Sequence, residues 1–174
     1  MSEQQPLVNR VEQSGLLTLD LEQFYPTETI EEFDVKQYLV KELVLMEKPF
    51  REALKNIHWS GYEGKVVALY CSNDALIPLW AYMLVTSSLE PFAKKVVFGN
   101  KEHALSELLK DVIAQIDLKE YAGAKVVIKG CGDKQLPPDV YVAVTARLQP
   151  VVQSLMYGEP CSTVPVYKKP QKPT

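Results

Sequence analysis

Between Leu16 and Phe24 the chain reads LLTLDLEQF, with Leu17, Leu19 and Leu21 alternating with Thr18, Asp20 and Glu22. A period of two predicts a strand with one face in the core and one in water. Pro26 and Thr27 mark a turn. VKQYLVKELVLM (35–46) predicts a short helix over about 35–41 and a strand near 43–46. PFREALKNI (49–57) predicts a helix with Pro49 at its first position, where a missing N–H is harmless.

The punctuation then becomes regular. KVVALY (65–70), KKVVFG (94–99), AKVVIKG (124–130) and QSLMYG (153–158) predict short apolar strands. Between them lie three predicted helices: DALIPLWAYMLVTSSLEPF (74–92), KEHALSELLKDVIAQI (101–116) and PDVYVAVTARLQPVV (138–152). Asp74 is placed to cap the first of these, with Pro78 in its opening turn. The second is strongly amphipathic. Strands alternating with helices, and uninterrupted apolar strands, predict an α/β fold with a mainly parallel sheet flanked by helices. Right-handed crossovers would bring the strand C-termini to one edge.

A finer repeat lies beneath this alternation. At a shift of 59, Ile57, Tyr62 and Gly64 meet Ile116, Tyr121 and Gly123. One extra residue in the second copy aligns Lys65, Val66, Val67 and Cys71 with Lys125, Val126, Val127 and Cys131. Dropping it again aligns Asp74, Pro78, Tyr82, Thr86, Leu89, Pro91 and Gly99 with Asp133, Pro137, Tyr141, Thr145, Leu148, Pro150 and Gly158. Valines and glycines recur in any β-α-β unit, but tyrosine, threonine and two prolines in one order point to a tandem β-α-β duplication over 56–100 and 115–159. The expected organisation is one domain over 1–174, with a loose N-terminus over 1–13 and a disordered tail over 168–174.

Composition narrows the function classes. The chain has 174 residues, is 47% hydrophobic and 24% charged, and has a formal net charge of −3, which offers no global attraction to nucleic acid or anionic lipid. The longest apolar run, ALIPLWAYMLV, is too short to span a bilayer. MSEQQPLVNRVEQS lacks the basic-then-apolar order of a secretory signal, so a cytoplasmic protein with reduced thiols is expected. Phosphate-loop, dinucleotide-binding, zincin and hydrolase-elbow motifs are all missing from the sequence. The tail YKKPQKPT carries too few lysines to indicate RNA binding.

The candidate chemistry rests on three cysteines. Cys71 and Cys131 each follow the end of a predicted strand, and Cys161 follows the last strand after a Gly-Glu-Pro turn. Ligands of open α/β sheets bind beyond the carboxyl ends of the strands. A shared edge would make Cys71, Cys131 and Cys161 candidate ligands for zinc or iron, with His103 as a fourth. The absence of a C-x-x-C pair weighs against a ready-made metal finger, and His103 also fits an ordinary surface position. Thiol chemistry is the second option, because a cysteine near a helix N-terminus is held toward thiolate. Neither His58 nor His103 has an evident partner as a general base, so a Cys-His hydrolase is disfavoured and no catalytic residue is assigned. Against both stands the reading of cysteine as a small buried hydrophobe in a non-catalytic interaction or oligomerisation module, such as a homodimer. Trp80 and Tyr82 are expected in the core or at a dimer contact.

The segments NRVEQSGLLTLDLEQFYP, EKPFREALK, CSNDALIPLWAYML, VVIKGCGD and above all YGEPCSTVPVYKKP resemble a small bacterial family of unknown function, domain family two-four-eight-zero. The resemblance spans nearly the whole chain. The genes of that family resemble neighbours of the SUF iron–sulfur assembly genes. The resemblance therefore implies an accessory role in iron–sulfur cluster or sulfur handling beside SUF-type assembly proteins, using Cys71, Cys131 and Cys161.

Overall fold

The computed structural model describes residues 16–129, 132–159 and 162–170. It is of the α/β class, and its contacts divide it into two compact units. One is continuous in sequence, Pro26–Leu109; the other is split, formed by the chain up to Tyr25 and from Lys110 onward.

In the continuous unit β2 (Ile30–Asp34), β5 (Val66–Tyr70) and β6 (Lys95–Phe98) form a parallel sheet in the order β2-β5-β6, where β1 (Leu16–Leu19) belongs to the other unit. A small antiparallel hairpin joins β3 (Leu39–Val40) to β4 (Val44–Leu45). Its turn puts Lys41 and Glu42 at φ 52° and 61°, the twist that tight hairpins require. Helices α1 (Glu47–Lys55) and α2 (Leu79–Leu89) complete the unit, with the N-terminal part of α3 (Lys101–Gln115). Val66, Val67, Ala68 and Leu69 of the central strand are all buried, which explains their unbroken apolar run. Phe33, Phe50, Val85 and Leu89 build the core on one side, and Val97 and Ala104 pack with Val66 and Ala68 in a second cluster.

The split unit repeats the plan. β1, β7 (Lys125–Ile128) and β8 (Ser154–Glu159) are parallel neighbours, and β9 (Ser162–Lys168) adds an antiparallel edge strand to give the order β1-β7-β8-β9. α4 (Pro138–Leu148) crosses from β7 to β8. The recurrence at 59 positions reaches individual bonds. Gly64 N–H donates to Phe92 O, and Gly123 N–H to Val151 O; Lys94 N–H donates to Lys65 O, and Gln153 N–H to Ala124 O. The helix ends agree as well: Glu90 and Gln149 donate to Thr86 O and Thr145 O. Buried Ala81, Val85 and Leu89 answer to buried Val140, Val144 and Leu148.

Several local expectations change. The alternation over 16–24 is cut at Asp20, whose carboxylate accepts the Glu22 N–H and starts a 3-10 turn over Leu21–Phe24. The helix expected over about 35–41 is only a 3-10 turn, Val35–Tyr38, capped in the same way by Asp34 and followed by β3, while the strand expected near 43–46 is β4. The helix expected from Asp74 begins at Leu79, so Asp74 is not its cap; Pro78 takes the cap position, as Pro137 does for α4. The offset of 59 also holds through the strands, since β5 and β7 begin at Val66 and Lys125, so the inserted residue in the second copy is not needed there. The strands fall into separate sheets, where the alternation had implied one.

Candidate functional site

The split unit has a cleft at the carboxyl ends of its parallel strands, the position where open α/β sheets bind ligands. Asp20 follows β1, Lys129 follows β7, and Tyr157 lies near the end of β8. The backbone sets the first contact. Lys129 N–H donates to Leu19 O at 2.9 Å, and this neighbouring position lets Lys129 Nζ reach Asp20 Oδ2 at 3.0 Å. The hydrogen bond from Lys129, aided by the Glu22 N–H, holds the Asp20 carboxyl below its usual range, and the same contact holds the Lys129 ammonium above its own.

Glu22 rises from the 3-10 turn and accepts the Lys134 N–H on Oε1 at 2.8 Å. Gly132 lies close beside it: a Cβ there would fall 1.8 Å from that oxygen, so a larger residue would displace the Glu22 carboxylate. Lys134 Nζ stands 4.4 Å from the centre of the Tyr25 ring. Tyr141, in the first turn of α4, meets Tyr157 edge to face at 5.7 Å. With Asp133, Gln135 and Leu136 these groups, Tyr25 excepted, line a cavity of about 520 Å³. Its volume falls within the span of small-molecule sites, roughly 300–1,000 Å³.

At the corresponding edge of the continuous unit the chain's own groups bond the matching side chains. Asp34 Oδ1 accepts both the Lys36 N–H at 2.9 Å and the Ser72 N–H at 3.0 Å. Burial pulls the Asp34 carboxyl up, but the donors from Ser72 and Lys36 outweigh it and leave it low. Tyr70 donates to Glu32 Oε1 at 3.0 Å, and Tyr82 packs edge to face on Phe98 at 5.0 Å. Burial, then the charges of Cys71 and Asp34, push the Tyr82 hydroxyl up.

A sequence model of the family described as protein of unknown function (DUF2480) matches residues 5–169. The chain belongs to this family. No curated protein and no solved structure matches it. In this DUF2480 chain Cys71 is a free thiol, half-buried one residue past β5 and packed against the core of the continuous unit. Cys131 and Cys161 lie outside the described residues. Among the described residues no group of three or more His, Cys, Asp or Glu is arranged to hold a metal ion. His103 is exposed on α3, where its backbone N–H donates to the Asn100 side chain, and His58 is exposed next to Trp59. Trp80 packs on Phe50 beneath the Arg51 guanidinium. No helix among the described residues of the DUF2480 chain is long and apolar enough to cross a membrane.

The cysteines drew attention to the strand ends, but the cleft groups Asp20, Glu22, Lys129, Tyr141 and Tyr157 carry no motif of their own. One signal was present. Leu19-Asp20-Leu21-Glu22-Gln23-Phe24 answers to Phe33-Asp34-Val35-Lys36-Gln37-Tyr38, so the recurrence includes the leading strand of each unit, with its capping aspartate.

Proposed function

We propose that this protein binds a small polar ligand in the cleft of the split unit, and that it serves iron–sulfur assembly or sulfur handling through Cys71, Cys131 and Cys161. The observation that carries the reading is the 520 Å³ cleft at the ends of β1, β7 and β8, where charged and aromatic side chains converge. Two features of the chain support the link to thiols. Lys129 and Gly132, both in the lining, flank Cys131 in sequence. Cys161 follows β8, the strand that supplies Tyr157. Zinc or iron is the metal such thiolates would take, and a carried sulfur is the other cargo they suit.

The test is metal and sulfur analysis of anaerobically purified protein beside Cys71→Ser, Cys131→Ser and Cys161→Ser. Loss of bound iron, zinc or labile sulfur in the substituted proteins is expected. Equal retention in all three rejects coordination, and three thiols inert to an alkylating reagent in the native protein reject thiol chemistry.

A second reading, an oligomerisation module, is favoured by one observation. Leu76, Leu79 and Met83 are 96%, 78% and 71% exposed on the continuous unit. The Asn73 side chain holds the Glu42 carbonyl at 2.8 Å, tying the segment before Leu76 to the hairpin turn that carries exposed Leu43 and Val44. Exposed apolar groups so gathered mark contact surfaces, and a second copy of the chain is the partner proposed. Sedimentation should then show a dimer that Leu76→Glu with Met83→Glu dissociates; a monomer at working concentration removes this reading.

A further inference from the structure

We infer that the ligand of the split-unit cleft is a small zwitterion, carrying a primary ammonium group and a carboxylate on a short stem. This rests on the reading that the cleft takes a small molecule, and it follows from which charges there are already satisfied. Asp20 and Lys129 neutralise each other at 3.0 Å, and Asp20 also accepts the Glu22 N–H. These two charges already answer each other.

The other charged groups of the lining differ. Glu22 uses Oε1 on the Lys134 N–H and has no bonded partner for Oε2 among the described residues. Asp133 is exposed and has neither hydrogen bond nor ion pair among them. Lys134 Nζ lies over the Tyr25 ring, which attracts a cation but does not neutralise it. Glu22, Asp133 and Lys134 are therefore the charged groups of the lining that make no ion pair among the described residues, Glu22 being only acted on at longer range by Lys129.

A ligand of single charge would meet its like. A simple anion attracted to Lys134 lies against Glu22 and Asp133, and a simple cation drawn to those acids lies beside Lys134. A molecule with both charges satisfies both sides, because charge-assisted hydrogen bonds are the strong ones in a partly desolvated site. The carboxylates are not gathered into a cation cage, since no metal-holding group of three is formed among the described residues. Leu136 and the Tyr141–Tyr157 pair supply an apolar wall for the stem. In this assignment Asp133 and Glu22 Oε2 accept from the ligand ammonium, and Lys134 donates to its carboxylate.

The experiment is calorimetric titration of the full chain at pH 7 with three related probes: L-serine, N-acetyl-L-serine, which lacks the ammonium, and ethanolamine, which lacks the carboxylate. L-Cysteine under reducing conditions is added as a thiol-bearing fourth probe. The zwitterions should bind at least about tenfold more tightly than either truncated probe. Asp133→Asn should weaken L-serine about tenfold while leaving N-acetyl-L-serine unchanged or tighter. Lys134→Met should weaken L-serine similarly while leaving ethanolamine unchanged or tighter. This crossed pattern distinguishes two charge contacts from general damage, and far-UV circular dichroism checks folding. Truncated probes binding as tightly as the zwitterions would overturn the ligand class while leaving the cleft as a binding site. No heat from any probe up to millimolar concentration would overturn the small-molecule reading of the cleft and the zwitterion with it.

Discussion

The two units share a backbone and differ in what they do with its open edge. Each has a leading strand ended by a capping aspartate, Asp34 or Asp20, followed by a 3-10 turn. Each has an aromatic pair at the same step, Tyr82 on Phe98 and Tyr141 on Tyr157. In the continuous unit Asp34 is used up by the Lys36 and Ser72 amides, and Tyr70 is tied to Glu32. In the split unit Glu22 stands where Lys36 stands, Lys129 where Tyr70 stands, and charged groups remain open to solvent in a cleft. The parallel sheet creates the edge in both. A few side chains decide which groups at that edge the chain itself bonds and which stand open to solvent.

The largest effects should come from the matched cores. Leu89 and Leu148 are both fully buried at the ends of α2 and α4. Leu89→Ala and Leu148→Ala should each cost about 2–5 kcal/mol, the range for a buried leucine removed from a packed site. Hydrogen exchange should rise mainly within 26–109 for Leu89→Ala and mainly from 110 onward for Leu148→Ala. A uniform rise in both would break the comparison by showing one cooperative core.

The same contrast explains what the sequence could convey. Buried strands such as Val66–Tyr70 and Lys125–Ile128 read clearly because their apolar runs cannot sit in water. β2, Ile30–Asp34, was not legible: two of its residues are glutamates, and as an edge strand it needs little apolar surface. β9 was hidden by Pro165, which a central strand would not tolerate but an edge strand does. The helix expected from Asp74 starts late, at Leu79, because Pro78 takes an extended cap conformation, whereas the helix expected from Pro138 starts there. The cleft was least legible of all. Asp20 and Lys129 are 109 positions apart and meet only because β1 pairs with β7. Cys71 does sit one step past a strand, as the punctuation implied, yet its surroundings belong to the core of its own unit.

A smaller difference should appear at two matched glycines. Gly99 and Gly158 end β6 and bend β8 at φ 135° and 126°, where any other residue is strained. A Cβ on Gly99 would meet the His103 side chain at 2.6 Å, but on Gly158 it would meet the Ser162 backbone oxygen at 2.5 Å. A side chain can turn aside and a strand backbone cannot. Alanine at either should cost about 1–3 kcal/mol, with Gly158→Ala the worse of the two in urea unfolding. Equal costs would mean that β9 yields as easily as His103.

The capping aspartates should then separate by pH. Both carboxyls are held low, so each contributes stability that is present above the ordinary aspartate value near 3.9 and lost as pH falls through its own lower value. Lys129 is held high, so its contribution is present below the ordinary lysine value near 10.4 and lost as pH rises through its raised value. The Asp20 pair therefore weakens at both extremes, and Asp34 at the acid end alone. Asp34→Ala should cost about 0.5–2 kcal/mol between pH 5 and 9, as loss of a cap does, with Asp20→Ala at the lower end because its site is more solvated. Unfolding midpoints across pH for Asp20→Ala and Asp34→Ala would show the alkaline limb changed in the first only.

The least stability should be lost at the two cation–aromatic contacts, and there the units ought to differ in function instead. Arg51 lies 5.9 Å from the Trp80 ring and is already bonded to Glu47 at 2.9 Å. Lys134 lies 4.4 Å from the Tyr25 ring and has no carboxylate partner among the described residues. Exposed contacts of this kind contribute about 0.5–1 kcal/mol at most, so Arg51→Met and Lys134→Met should shift thermal midpoints only slightly and by similar amounts. If the open cleft is what sets the split unit apart, Lys134→Met alone should alter small-molecule titration. Two substitutions that match in stability and also match in binding would reduce the difference between the units to surface decoration.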